Sequence, residues 1–191
     1  AQACLQTRHR PLVSLRAGMA ADAAAGEGQV ELVLEGLASR ELPELEVPLY
    51  YELWTWEGDV SVLPVMWSRI VQDVFGPAAE EWSPERFMEE LGQKPAFDPE
   101  GVFFLTQRGR PAGTCMLWQD DPSDGTTARL QWHAVAPDHR RQGVGRALAL
   151  LALQRARARG FERVVLSAGA SREGAIALYT QLGFVPPASG A

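Results

Sequence analysis

Residues Ala134 to Ala147 read AVAPDHRRQGVGRA, an apolar strand-like start that runs into an Arg-rich, Gly-rich turn and then into helix-forming sequence. The first turn of a helix carries backbone N–H groups with no intrahelical acceptor, and these present partial positive charge to any anion placed there. Gly143 and Gly145 let that backbone approach a ligand closely. Arg140, Arg141 and Arg146 add guanidinium groups, whose planar forks suit phosphate oxygens. The turn therefore points to a diphosphate. It is not a P-loop, since no Lys-Ser or Lys-Thr follows the glycines, and GVGRAL lacks the third glycine of a dinucleotide fingerprint.

The flanking segments extend the pattern. Leu130 to Val135 reads as a strand before the turn, and Ala175 to Val185, AIALYTQLGFV, combines a helix carrying Leu-Tyr with a following Gly-Phe. With RRQGVG matching RxxGxG at Arg140, Gly143 and Gly145, the chain resembles the GCN5-related N-acetyltransferases (GNAT). The resemblance is specific over residues 100 to 186; before Gly101 only the order of elements agrees. It implies an α/β fold with a central mixed β-sheet flanked by helices, and acetyl-CoA as cosubstrate. The implied cofactor-binding set is Ala134, Val135, Arg140, Arg141, Gln142, Gly143, Val144, Gly145 and Arg146. Within it the turn seats the pyrophosphate, while Val135 offers backbone groups to the pantetheine arm and its N–H to the thioester oxygen.

Acetyl transfer to an amine needs a neutral nucleophile and a proton for the departing thiolate, yet a free alkylamine has a pKa of about 10. The resemblance implies that Tyr179 lies near the sulfur, where it protonates or hydrogen-bonds the thiolate. Strict strand alternation places Arg129, Gln131, His133 and Val135 on one face and Leu130, Trp132 and Ala134 on the other. On that reading His133 points toward the acceptor, and an unperturbed imidazole of pKa about 6.5 suits it as a base. Relatives often carry Glu or His further back on this strand, where this chain has Arg129 and Gln131. A CoA-binding regulatory module without efficient catalysis is therefore the alternative function. Cys115 has no neighbour in sequence to activate it as a nucleophile, and His9, His133 and His139 show no metal-ligand spacing, so no metal is expected.

The 191 residues carry a net charge of −6, a balance that disfavours nucleic acid and anionic membranes as partners. No apolar run reaches membrane-spanning length and two cysteines build no disulfide framework, so the expected setting is cytoplasmic. The expected acceptor is a primary amine, preferably of a small molecule, with a peptide or protein N-terminus as the second option. Residues 1–29 read as a flexible extension and 30–191 as one acetyltransferase domain. Val30 to Leu34 alternates like a strand, Tyr50 to Trp56 is β-favouring, and Val62, Val65, Met66, Ile70 and Val74 recur at helical spacing. Ser83-Pro84 starts a second helix. An antiparallel meander follows from Gly101, and the later strand–helix–strand crossover makes the sheet mixed. Little sequence follows Phe184, so either Val30 to Leu34 or the partner of a homodimer is expected to cover that sheet edge.

Overall fold

Short runs of β-branched and aromatic residues, separated by turn residues, build a six-stranded sheet in this computed structural model. It describes residues 28–54, 56, 59, 61–76, 82–121 and 123–188. The strands are β1 (Gln29–Leu34), β2 (Glu52–Trp54), β3 (Val102–Gln107), β4 (Arg110–Trp118), β5 (Thr127–Val135) and β6 (Arg163–Gly169). Their order is β1-β6-β5-β4-β3-β2, with every pair antiparallel except β5 and β6. The sheet is mixed, with helices packed on it. Except for Gly28 and Gln29, the extension expected over 1–29 lies outside the described residues, and Gln29 already belongs to β1.

β1 resolves the edge question. It lies against β6 in antiparallel register from Gln29 opposite Gly169 to Leu34 opposite Val164. Val185, just after Phe184, pairs with Val33 through bonds of 2.7 and 2.9 Å. The chain's own N-terminal strand thus covers the edge of β6.

Among the described residues the α-helices are α1 (Val62–Phe75), α2 (Pro84–Phe87), α3 (Val144–Ala158) and α4 (Glu173–Gln181), of which α1 and α3 lie on the sheet and α2 packs against α1. In α1 the expected apolar stripe is rotated. Leu63, Trp67, Ile70 and Val71 are buried, whereas Val62 and Val65 are exposed. The indole of Trp67 decides this, because it fills space between Trp82, Phe87 and Trp132 at ring distances of about 5 Å and outweighs two valines. Ser83 caps α2 as expected, its hydroxyl accepting from the Arg86 N–H at 3.2 Å with Pro84 in the first turn. A single π-helical turn, Met88–Gly92, follows.

Two cores result. Helix α3, with Leu148, Ala149 and Leu153 fully buried, packs with α4, β1 and β6 into one of them. α1 and α2 enclose the second, aromatic core around Trp67, Phe87, Phe104 and Trp132. Gly113 on β4 permits the close seat of α3: a Cβ there would meet Leu148 and Val144 side chains at 2.9 Å.

Candidate active site

β5 and β6 run together only from Thr127 to Arg129, opposite Arg163 to Val165. Beyond those residues they part, and among the described residues the edge of β5 from Leu130 to Val135 has no strand partner on that side. The Ala136 N–H donates to Ala112 O beside β4 at 3.0 Å. Successive residues of a strand point their amides to opposite edges, so the Val135 N–H and C=O face the gap. Arg140 Nε donates to that Val135 carbonyl at 3.1 Å, tying the glycine-rich turn to the strand end.

The turn itself follows Pro137–His139, a short 3-10 segment. Arg141 and Gly143 have φ of 61° and 83°, a kink that swings the chain into α3. Gly143 is required twice, by its left-handed backbone and by Pro48 Cγ, which would stand 3.1 Å from a Cβ. The first bond into α3 is Ala147 N–H to Gly143 O, and no side chain caps the helix. The N–H groups of Val144, Gly145 and Arg146 are therefore left for an acceptor from outside. Arg140, Arg141 and Arg146 are all exposed around them. A Cβ on Gly145 would make only ordinary contacts, the nearest at 3.5 Å, so the protein's own packing does not demand that glycine. These features fit an anionic diphosphate: free amide donors and three exposed guanidinium groups at a glycine-rich helix start.

Strict alternation along β5 fails at one point. Thr114 pairs with Ala134 but Met116 pairs with Gln131, so β5 carries one extra residue, and Trp132 within it has φ 52°. This β-bulge turns Trp132 into the aromatic core, whereas Leu130 belongs to the other core with α3. Gln131 stays beside Met116, its Nε2 3.8 Å from the sulfur, and Arg129 pairs with Asp120. His133 turns instead toward α4. The common face of Arg129, Gln131, His133 and Val135 expected from alternation is thus broken between Gln131 and His133.

The bulge brings the two expected catalytic residues together: His133 Nδ1 lies 2.7 Å from the Tyr179 hydroxyl. Tyr179 is 5% exposed and packs against Phe184, with ring centroids 5.7 Å apart. Burial pushes its pKa up; the nearby Cys115 adds to this and Arg172 opposes it. Burial also pulls His133 down to about 4, against a smaller opposing effect of the Gly145 backbone. Its Nε2 is buried beside the Gly145 backbone. The pair is therefore neutral at pH 7. Cys115 is fully buried and its thiol pKa is pushed up by desolvation, which suits packing and not nucleophilic attack.

Sequence reasoning missed Tyr51. Its hydroxyl donates to Gln142 Oε1 at 2.9 Å and lies 2.9 Å from His139 Nδ1, while Gln142 Nε2 donates to Asp138 O at 2.8 Å. The aromatic stretch from Tyr50 to Trp56 was legible only as a strand. A groove of about 300 Å³ reaches the foot of the gap at Arg129 and Val165, with Asp120, Asp124 and Glu31 among its walls. Among the described residues no group of His, Cys, Asp and Glu is gathered for a metal, and no helix is long and apolar enough to cross a membrane.

The model of the acetyltransferase (GNAT) family matches residues 66–184, from α1 through Phe184. The chain belongs to the GNAT family. A mycothiol acetyltransferase of Thermobispora bispora is 32% identical over 148 residues, covering 75% of this chain and 49% of that protein. This GNAT chain spans about half the length of the curated relatives it matches. Among solved structures, a GCN5-related N-acetyltransferase from Sphaerobacter thermophilus superposes with a TM-score of 0.64 at 22% identity, covering 83% of this chain and 48% of that one. The ribosomal-protein-S18-alanine N-acetyltransferase from Escherichia coli does so at 0.55 and 29% identity, covering 71% of this chain and 77% of that one. The parted strands, the uncapped α3 and the turn between them all lie within the family match.

Proposed function

We propose that this GNAT chain transfers an acetyl group from acetyl-CoA to a primary amine by direct attack, without a covalent enzyme intermediate. The observation that carries the proposal is the joint placement of two features at one end of β5. One is the donor-rich phosphate turn, and the other is the hydrogen-bonded pair of His133 and Tyr179.

Acetyl-CoA supplies the activated thioester; the chain supplies binding and protons. Arg140, Arg141, Arg146 and the free amides of Val144 to Arg146 hold the diphosphate, with Gln142, Gly143 and Gly145 shaping the loop. Val135, with Ala134 beside it, gives the free edge of β5 to the amide-bearing arm, and its N–H faces the gap where a carbonyl oxygen would gain charge. The amine nitrogen forms its bond to the acetyl carbon as the carbon–sulfur bond breaks, and the thiolate takes the Tyr179 proton. His133 Nδ1, 2.7 Å from the Tyr179 oxygen, fixes the position of that hydroxyl as its proton leaves. A buried imidazole of pKa about 4 is a poor base for an ammonium. In this mechanism His133 therefore serves Tyr179, and the amine proton leaves by solvent. The size of the groove at Arg129 and Val165 favours a small-molecule acceptor, and its carboxylates favour a cationic one.

The test is release of CoA thiol from acetyl-CoA in the presence of polyamines, amino acids, aminoglycosides and short peptides. Turnover with a small amine is expected. Tight CoA binding with no release across the panel would overturn catalysis in favour of a CoA-responsive module, and turnover of peptides alone would overturn the small-molecule acceptor.

A further inference from the structure

Pro48 to Tyr51 form a turn closed by the Tyr51 N–H on Pro48 O at 3.1 Å. Its third residue, Tyr50, has φ 71°, a left-handed backbone that glycine adopts freely and tyrosine does not. The outcome of that strain is exposure. Leu49 and Tyr50 are 76% and 78% exposed, the most exposed large apolar side chains among the described residues. Strained backbone that presents an aromatic ring to solvent does nothing for the core, and such outliers gather at ligand sites.

The other side of this turn is fastened to the phosphate turn. Pro48 stands against Gly143, and Tyr51 meets both His139 and Gln142. The Tyr51 hydroxyl has one proton and gives it to Gln142 Oε1, so His139 Nδ1 must be the donor to the Tyr51 oxygen. Donors then run one way, from His139 to Tyr51 to Gln142 to the Asp138 carbonyl. That chain holds the residues before Gly143 in a single arrangement.

We propose that the Pro48–Tyr51 turn is a second part of the CoA site, remote in sequence from the glycine-rich turn. Tyr51 is a positioning residue that holds the phosphate turn through Gln142 and His139, and Tyr50 offers its ring to the adenine base. The topology supports the division. β2, which begins just after Tyr51, lies on the far side of β5 from the gap. In CoA the diphosphate likewise stands between the pantetheine arm and the adenosine. With the arm in the gap and the diphosphate on α3, the base is directed toward the Pro48–Tyr51 side, where a flat, exposed ring suits stacking. The proposal rests on the diphosphate reading made above.

Calorimetric titration with CoA, 4′-phosphopantetheine and pantetheine tests it without knowledge of the acceptor. Tyr50→Gly removes the ring and relieves the left-handed strain, so the melting temperature should hold or rise. CoA should bind about tenfold more weakly, with phosphopantetheine affinity within about twofold of wild type. Tyr51→Phe keeps the ring and loses the hydroxyl; CoA and phosphopantetheine should weaken about tenfold and pantetheine should not change. Unchanged CoA affinity in Tyr50→Gly overturns the adenine platform, as does equal weakening of all three ligands. In Tyr51→Phe, loss of pantetheine binding in step with CoA would mean a merely structural role. If the wild-type chain binds pantetheine as tightly as CoA, the diphosphate seat itself falls, and that result is separate from either variant.

Discussion

The Arg- and Gly-rich turn and the His133–Tyr179 pair lie at the same end of the sheet but are built from opposite physics. The turn is exposed, carries three guanidinium groups, and leaves three amides unpaired beyond Gly143. The pair, a buried Tyr179 and a half-buried His133, is uncharged at neutral pH. An anion that stays bound through the reaction is best met by fixed positive charge. A proton that must leave and return is better met by neutral groups whose affinities burial can shift. Perturbing the turn should therefore change binding, and perturbing the pair should change turnover.

The largest separation is expected from Gly143→Asp. A carboxylate beside the diphosphate repels it, and the left-handed backbone and Pro48 leave no relaxed place for the side chain. Like-charge contact costs several kcal/mol, so CoA affinity should fall by about 10³ in titration calorimetry. A variant that still bound CoA within about threefold of wild type would dissolve the contrast. Next is Tyr179→Phe. Loss of a positioned proton donor should lower kcat by about 10², with the CoA dissociation constant within about threefold. Equal losses in both would place Tyr179 with the binding elements.

The two regions also differ in how far the amino-acid sequence disclosed them. The turn is a local object: glycines, arginines and a helix start lie within a dozen residues, and spacing alone brings them together. The helix start at Ser83-Pro84 and the meander from Gly101 were legible for the same reason. His133 and Tyr179 were each singled out, but their 2.7 Å contact depends on the bulge at Trp132. Nothing in ARLQWHAV marks a bulge, since it arises from how β5 registers on β4. The rotation of α1 has a similar origin, because Val62 and Val65 fit helical spacing but Trp67 claims the interior. Tyr51 was invisible for a related reason. Its partners, His139 and Gln142, are 88 and 91 residues away.

A smaller effect on the binding side should follow from Arg140→Ala. Arg140 is exposed and spends one donor on Val135 O, and its neighbours Arg141 and Arg146 remain. About tenfold weaker CoA binding is expected, more at low salt than at high salt. A loss independent of ionic strength would mean that the bond to Val135 matters more than the charge.

The smallest effect should fall on stability, and it belongs to the pair. His133 titrates at about 4 in the fold and at about 6.5 when unfolded. Above pH 6.5 neither state holds a proton on this ring, and nothing is gained or lost. As pH falls from 6.5 toward 4 the unfolded chain takes up a proton that the folded chain refuses, so stability declines over that window. Asp59, Glu85, Asp121 and Asp124, all lowered by hydrogen bonds from neighbouring Ser or Thr residues, add a decline of the same sign only toward the acid end of this window. Melting curves from pH 7 to 4.5 should thus slope downward for wild type and more gently for His133→Gln. The slope of Arg140→Ala should match wild type, because that substitution leaves the contact between His133 and Tyr179 in place. If His133→Gln kept the wild-type slope, the imidazole would not be the buried neutral group that distinguishes this pair from the turn.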